Sequence, residues 1–126
     1  MHETMIIAKM DPRDADDVAA VFGRYDATSM PDEIGVRHRS LFEFHGIYVH
    51  LIGFDRPPSQ AMRAAQSLPA FRAVSEELKP YINAYDPSWR SPRDAMAARF
   101  YHWTAPGAGG RAVENGAVTV SASDRY

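Results

Sequence analysis

The chain contains no cysteine. This absence excludes disulfides, thiolate catalysis and any zinc site built on cysteine, and it fits the reducing cytoplasm, which is the location we expect. The roughly 18 consecutive apolar residues that a membrane span needs are also missing, and the apolar run of residues 4–10 is too short for a secretory signal. We therefore expect an intracellular protein without a membrane partner.

Positive and negative charges are nearly balanced. Fourteen Lys and Arg against sixteen Asp and Glu give a net charge of -2, and no basic block occurs, so we expect no nucleic-acid partner. A hydrophobic content of 45% in 126 residues is enough for one buried core. We assign residues 1–106 to a single domain and predict that the glycine-containing residues 107–126 form a mobile tail.

Sequence motifs for bound groups are missing too. There is no glycine-rich phosphate loop, no dinucleotide fingerprint and no Gly-x-Ser-x-Gly elbow, and the five histidines do not have the spacing of metal ligands. The sequence therefore predicts neither an organic cofactor nor a metal.

What the chain does have is a period-2 pattern of aromatic and ionisable residues from position 37 to position 55. The pattern is interrupted at His45-Gly46, which predicts a tight turn and an antiparallel hairpin. Alternation places one group of second-strand residues on a single face: Tyr48, His50, Ile52 and Phe54. In the first strand it groups Val36 with Phe42, on the face opposite Arg39.

The remaining patterns complete a fold. An apolar run at residues 4–10 predicts a strand, residues 15–26 a helix, and residues from 59 a helix interrupted by Pro69. Residues 95–103 are expected to form the last strand. The resulting order is that of an α+β, ferredoxin-like (βαββαβ) four-stranded antiparallel sheet with helices on one face. Since the strands are apolar on both faces, the bare face predicts a homodimer.

Three ionisable residues are candidates for chemistry, each with a simpler alternative. His50 can move a proton near neutral pH, although a histidine in a core can equally be structural. Asp26 lies at the end of the predicted helix, where its charge opposes the helix dipole, but acidic residues after helices also serve solubility. Arg39 could hold a carbonyl, an enolate or a carboxylate, or it could form an exposed ion pair with Glu43 or Asp55.

Aromatic residues could line a flat pocket for a polyaromatic ligand, or they could simply form the core. Those that we assign to substrate binding are Tyr25, Phe22, Tyr48, Phe42 and Trp103.

Four sequence pieces occur in order with matching gaps. They are Phe22-Gly23-Arg24-Tyr25-Asp26-Ala27-Thr28-Ser29-Met30-Pro31, Gly35-Val36-Arg37-His38-Arg39-Ser40-Leu41-Phe42, Tyr48-Val49-His50-Leu51 and Phe100-Tyr101-His102-Trp103-Thr104-Ala105-Pro106. Together they resemble the tetracenomycin-type polyketide cyclases of aromatic type II pathways, over roughly residues 4–106.

The resemblance implies a dimeric cyclase without metal or organic cofactor. Such an enzyme acts late on a partly cyclised poly-β-ketone, closes a ring by aldol condensation with loss of water, and could associate with synthase components. It also implies catalytic roles for Asp26, His50 and Arg39. Some family members have a histidine directly before the acidic residue. This chain has Tyr25 there, which leaves more of the proton transfer to His50.

Two other functions are compatible with the same patterns. One is a cofactor-free monooxygenase that forms a quinone on an aromatic polyketide, because similar folds carry out that chemistry. The other is a non-enzymatic partner that binds the polyketide or a synthase subunit. Oxygen consumption would identify the first, and ligand binding without any rate effect the second.

Overall fold

The computed structural model describes residues 2–107, so the predicted tail lies outside the described residues beyond Gly107. Two 3-10 turns, at Pro12–Asp14 and Pro92–Ala95, accompany the regular elements. These are β1 His2–Met10, α1 Ala15–Asp26, α2 Met30–Ile34, β2 Val36–Phe44, β3 Ile47–Phe54, α3 Pro58–Gln66, α4 Pro69–Leu78 and β4 Ile82–Asn83.

The four strands form an antiparallel sheet in the order β2-β3-β1-β4. Side chains from α1, α3 and α4 pack with one face of this sheet into a single core, which includes Val18, Ala65 and Val74 from the helices and Tyr48 and Phe54 from β3. The predicted α+β class and the antiparallel four-stranded sheet are therefore confirmed.

The helix boundaries follow local chemistry. The side chain of Asp11 accepts a hydrogen bond from the Arg13 amide, and Pro12 follows it at the first position of the turn that leads into α1. The predicted interruption at Pro69 separates α3 from α4. The short helix α2 was not predicted. It ends at Gly35, whose φ of 99° favours glycine.

The hairpin between β2 and β3 has the predicted two-residue turn. His45 has a φ of 48° and Gly46 a φ of 86°, and two consecutive positive values are typical of a type I′ turn, whose twist matches the strands that it joins. Beyond this turn the register is regular, with Phe44 opposite Ile47 and Leu41 opposite His50.

A β-bulge changes the predicted faces of β2. Val36 pairs with Phe54, whereas His38 pairs with Gly53 and Arg39 with Ile52, so the strand contains one extra residue between Val36 and His38. The expectation that Val36 lies opposite Arg39 is therefore wrong, and both side chains line the same cavity. Simple alternation fails because a bulge shifts the side-chain period by one residue.

The predicted last strand at residues 95–103 is also wrong. The fourth strand is Ile82–Asn83, which pairs with Lys9 and Met10 at the edge of β1, while Met96 forms only an isolated bridge to Ile6. Three alanines between positions 95 and 98 offer little side-chain surface to stabilise a strand. The aromatic residues that follow, including Phe100 and Trp103, are exposed.

Close packing on the face of the sheet away from the helices makes Gly53 sensitive to substitution. A Cβ atom at this position would overlap the imidazole of His38 on the neighbouring strand. We expect Gly53→Ala to lower the free energy of unfolding by about 1–3 kcal/mol, and His38→Ala to remove most of that cost. Denaturant unfolding of the two single variants and the double variant measures this coupling.

The matched control is Gly23→Ala in helix α1, where an added Cβ would meet nothing within 4 Å. This change should stabilise the protein by up to about 1 kcal/mol, because alanine favours the helix. Equal costs of Gly53→Ala with and without His38 would contradict the packing explanation.

Candidate active site

A cavity of about 450 Å³ lies between the sheet and the helices. Its walls come from strand residues that point toward the core, from helices α1 and α4, and from the segment after β4. Most of them are apolar, and they include Ile6, Phe22, Tyr48, His50, Ile52, Phe54, Val74, Leu78, Ile82 and Trp89. This volume lies in the range of small-molecule sites.

Four polar side chains form one connected series at the wall of this cavity. The Asp26 carboxylate accepts two hydrogen bonds from Arg39, at 2.9 Å from Nε and 2.8 Å from Nη2. Arg39 Nη1 lies 3.0 Å from His50 Nε2, and His50 Nδ1 lies 3.1 Å from the Tyr48 hydroxyl oxygen. The series therefore runs from Asp26 at the surface to two buried residues of β3.

The topology explains how these residues meet. Asp26 is the last residue of α1, and Arg39 lies on β2 opposite Ile52, one diagonal step from His50 on β3. The bidentate ion pair with Arg39 compensates the unfavourable position of Asp26 at a helix C-terminus. The predicted alternative, an exposed pair of Arg39 with Glu43 or Asp55, is not what the structure contains.

Phe22 of α1 holds the centre of this series in place. Its ring meets the His50 imidazole edge to face, with centroids 5.1 Å apart, and the Arg39 guanidinium lies 4.7 Å from its centroid. Phe22 is 8% exposed, so it also shields both groups from water. A single aromatic residue therefore orients the imidazole and the guanidinium together.

His50 is neutral in this environment. Burial, with the positive charge of Arg39 as a second cause, lowers the pKa of the His50 imidazole from 6.5 to about 3. Burial likewise raises the pKa of the Tyr48 hydroxyl above its usual range. These surroundings disfavour a second positive charge beside Arg39, so the imidazole stays neutral near neutral pH.

The structure brings together some of the predicted site residues and not others. Phe22, Tyr48, His50 and Arg39 line the cavity, and Asp26 holds Arg39 from outside. Tyr25 instead donates a hydrogen bond to Glu77 and lines a smaller hollow.

Two further predicted residues do not line the cavity. Phe42, which is 53% exposed, lies on the opposite face of the sheet, and Trp103 is 66% exposed. Within residues 2–107, neither Phe42 nor Trp103 belongs to the cavity wall.

Several residues that line the cavity were missed from the sequence. Val74 and Leu78 belong to the apolar face of α4, which helical spacing predicts as core, but spacing does not separate core from cavity wall. The tryptophan in the wall is Trp89, not Trp103. No sequence signal distinguishes the two, because each follows a segment without regular structure.

Residues 2–107 contain neither a ready metal site nor a membrane-spanning helix. No three His, Asp or Glu side chains in this range converge closely enough to hold a metal ion. Over the same range, none of the helices has the length and apolar character required to span a membrane.

Comparison with known proteins identifies relatives over most of the chain. A family model described as polyketide synthesis cyclase matches residues 2–104. Tetracenomycin F2 cyclase from Streptomyces glaucescens is 42% identical over 105 residues, which cover 83% of this chain and 96% of the relative. Polyketide synthase CurG from Streptomyces cyaneus is 39% identical over 104 residues, covering 82% and 97%.

A solved structure agrees with these sequence matches. The structure of tetracenomycin F2 cyclase, described as a type II polyketide cyclase, superimposes with a TM-score of 0.78 and covers 84% of this chain and 100% of that chain. An uncharacterised protein of Streptomyces coelicolor is 49% identical over 111 residues, which cover 86% of this chain and all of the relative.

Proposed function

The chain belongs to the polyketide synthesis cyclase family and is a cyclase, and we propose that it closes a late ring of a partly cyclised aromatic poly-β-ketone. The proposed reaction is an intramolecular aldol condensation followed by loss of water. One observation carries the proposal: the series Asp26-Arg39-His50-Tyr48 borders an apolar cavity large enough for a multi-ring molecule.

Positioning supplies most of the rate in this proposal. Methylenes between two carbonyl groups are acidic, so the main difficulty is to choose which carbon attacks which carbonyl. A rigid apolar cavity that folds the substrate into one conformer makes that choice, and effective molarities reach about 10⁵ M or more in favourable cases. Exclusion of water also strengthens each polar contact at the wall.

Arg39 and His50 carry out the proton transfer in the proposed scheme. When substrate binds, the oxygen of the enolisable carbonyl replaces His50 Nε2 as the acceptor for Arg39 Nη1, which frees Nε2 to accept a methylene proton. The C–H bond breaks, and its electron pair moves into the enolate that Arg39 stabilises. Asp26 is a positioning residue, because it orients the guanidinium through two hydrogen bonds.

Ring closure and dehydration complete the scheme. The enolate carbon bonds to a second carbonyl carbon, and the resulting alkoxide takes a proton from the His50 imidazolium. The low pKa of His50 makes Nε2 a weak base in the first step, where the enolate charge beside Arg39 offsets the effect, and it favours this return. Departure of the hydroxyl group with a second methylene proton, as water, gives the closed ring.

A direct test is incubation of the purified protein with a bicyclic poly-β-ketone intermediate, followed by mass spectrometry of the product. A mass decrease of one water at a rate above the uncatalysed background supports cyclisation. Oxygen consumption with a gain of oxygen would instead indicate a monooxygenase. Binding without acceleration would indicate a non-enzymatic polyketide-binding partner of the synthase.

The proposal extends to the fold and its assembly. The strand order β2-β3-β1-β4 supports a ferredoxin-like arrangement, in which helices cover one face of the sheet. The other face carries large apolar side chains: Met5, which is 38% exposed, Phe42 at 53% and Phe44 at 67%. We propose that a second copy of the chain covers this face, because such a patch is unfavourable in water.

Sedimentation velocity at micromolar concentration tests the dimer. We expect a species of twice the 14.1 kDa chain mass and a shift toward the monomer in Phe42→Asp, which places a charge on the exposed apolar face. Ala73→Glu, on the exposed side of α4, is the control and should sediment like the unchanged protein. A 14.1 kDa species alone would refute the dimer.

A further inference from the structure

The hydrogen bonds of His50 determine which of its nitrogens carries the proton. An arginine guanidinium has donors and no acceptor, so Arg39 Nη1 must donate in its 3.0 Å contact with His50 Nε2. Nε2 therefore offers a lone pair, and the proton of the neutral imidazole is on Nδ1. The carboxylate of Asp26 fixes this direction, because it engages the other side of the same guanidinium.

The same reasoning determines the direction of the next contact. His50 Nδ1–H donates to the Tyr48 hydroxyl oxygen at 3.1 Å, so this oxygen is the acceptor. The hydrogen of the Tyr48 hydroxyl must then point away from His50. Among residues 2–107 no other hydrogen bond is made by this hydroxyl. Tyr48 is 4% exposed and lines the cavity.

A buried donor without an acceptor is unfavourable, and phenylalanine would fill the same apolar position without that penalty. A ligand oxygen in the cavity would remove the penalty. Burial also raises the pKa of Tyr48, so its hydroxyl remains protonated, and able to donate, across the ordinary pH range.

We infer that Tyr48 is a further catalytic residue, whose hydroxyl donates a hydrogen bond to the carbonyl oxygen that is attacked in ring closure. This inference rests on the proposed cyclase function. As the carbon–carbon bond forms, the carbonyl π electrons move to this oxygen, and Tyr48 stabilises the charge there. Tyr48 then passes its hydroxyl proton to this oxygen and takes the Nδ1 proton from the His50 imidazolium, so each broken O–H or N–H bond is replaced.

The inference also specifies the ligand chemistry. The two donors lie on opposite sides of the imidazole, with Arg39 at Nε2 and Tyr48 at Nδ1. Arg39 would hold the oxygen of the carbonyl that becomes the enolate, and Tyr48 the oxygen of the carbonyl that is attacked. The cavity should therefore prefer planar aromatic ligands that carry ketone oxygens over hydrocarbons of the same shape.

Binding of two commercial probes tests this preference without turnover. Anthraquinone differs from anthracene by two carbonyl oxygens. We expect Tyr48→Phe to weaken anthraquinone binding about 5- to 10-fold, as loss of one hydrogen bond predicts, and to leave anthracene binding unchanged. Equal effects on both probes, or no effect on either, would overturn the inference whether or not the cyclase function holds.

Turnover of the poly-β-ketone supplies the catalytic test. Tyr48→Phe should lower kcat about 10²- to 10³-fold, with a smaller change in KM. Fluorotyrosines at position 48 make the phenol a stronger donor, so kcat should rise along the series of increasing acidity. A purely structural tyrosine would give no such trend, and a flat series would overturn the catalytic role.

The control is Tyr85→Phe, which removes a hydroxyl from a half-exposed ring outside the cavity wall. It should retain the kcat of the unchanged protein. If the unchanged protein does not cyclise the polyketide, the proposed function fails, and the two probes still decide the hydrogen-bonding role of Tyr48.

Discussion

Replacement of Arg39 by alanine is expected to lower kcat/KM for ring closure about 10²- to 10³-fold. The side chain is only 12% exposed and reaches both the Asp26 carboxylate and His50 Nε2, so its loss removes the oxyanion donor and frees the imidazole to reorient. Arg39→Lys should recover little, because one ammonium group cannot reproduce the planar fork. Steady-state kinetics on a bicyclic polyketide measures the effect.

The matched control is Arg37→Ala, two positions earlier on the same strand. Arg37 forms an exposed ion pair with Asp32 and does not line the cavity, so activity should be unchanged. Far-UV circular dichroism and thermal unfolding confirm that each variant is folded. Full activity in a folded Arg39→Ala variant would contradict the assigned role.

Replacement of His50 by alanine should slow turnover about 10²- to 10⁴-fold without abolishing it. General acid–base catalysis contributes less than positioning in the cavity, and the cavity remains in the variant. His45→Asn at the exposed hairpin turn is the control, since asparagine tolerates the positive φ of that position. Complete loss of activity in a folded His50→Ala variant, or an unchanged rate, would refute this order of contributions.

His50 should also leave a signature in pH dependence. With a pKa of about 3 it does not titrate between about pH 5 and 8, so it should produce no inflection in kcat/KM there. The unfolded chain binds this proton below about pH 6.5 and the folded protein only near pH 3, so stability rises with pH between about 3 and 6.5. As pH falls from 6.5 toward 3, His50 should reduce the free energy of unfolding by up to about 1.4 kcal/mol per pH unit.

The contribution of His50 to the free energy of unfolding can be isolated with the variant His50→Asn. Its unfolding and that of the unchanged protein are measured at a series of pH values. The difference between their unfolding free energies should change with pH below 6.5 and remain constant above it. A constant difference down to pH 4 would mean that the imidazole is not held neutral by its surroundings.

The sequence predicted the elements whose determinants are local. The His45-Gly46 turn and the break at Pro69 follow from backbone preferences of single residues. The fourth strand could not be predicted in this way. Ile82–Asn83 is only two residues long, and the free edge of β1 selects it, so no pattern in the segment itself identifies it.

The candidate site was likewise predicted only in part. Alternation in β3 placed Tyr48 and His50 on one face, and the family resemblance implied catalytic roles for the candidates Asp26 and Arg39. The resemblance did not predict that Asp26 binds Arg39 through two hydrogen bonds, or that Phe22 packs on His50. Those contacts join residues 13 to 28 positions apart, and they depend on how α1 crosses the sheet.

By itself, the sequence determined that Tyr48 and His50 face the same side, because side-chain alternation is a property of the extended backbone. Only the tertiary structure decided what these residues can do. The bulge in β2 brought Val36 and Arg39 to one wall, and α1 placed Phe22 over the imidazole. Removal of water by these neighbours lowers the pKa of His50, and desolvation depends on the packing of distant segments that no local pattern encodes.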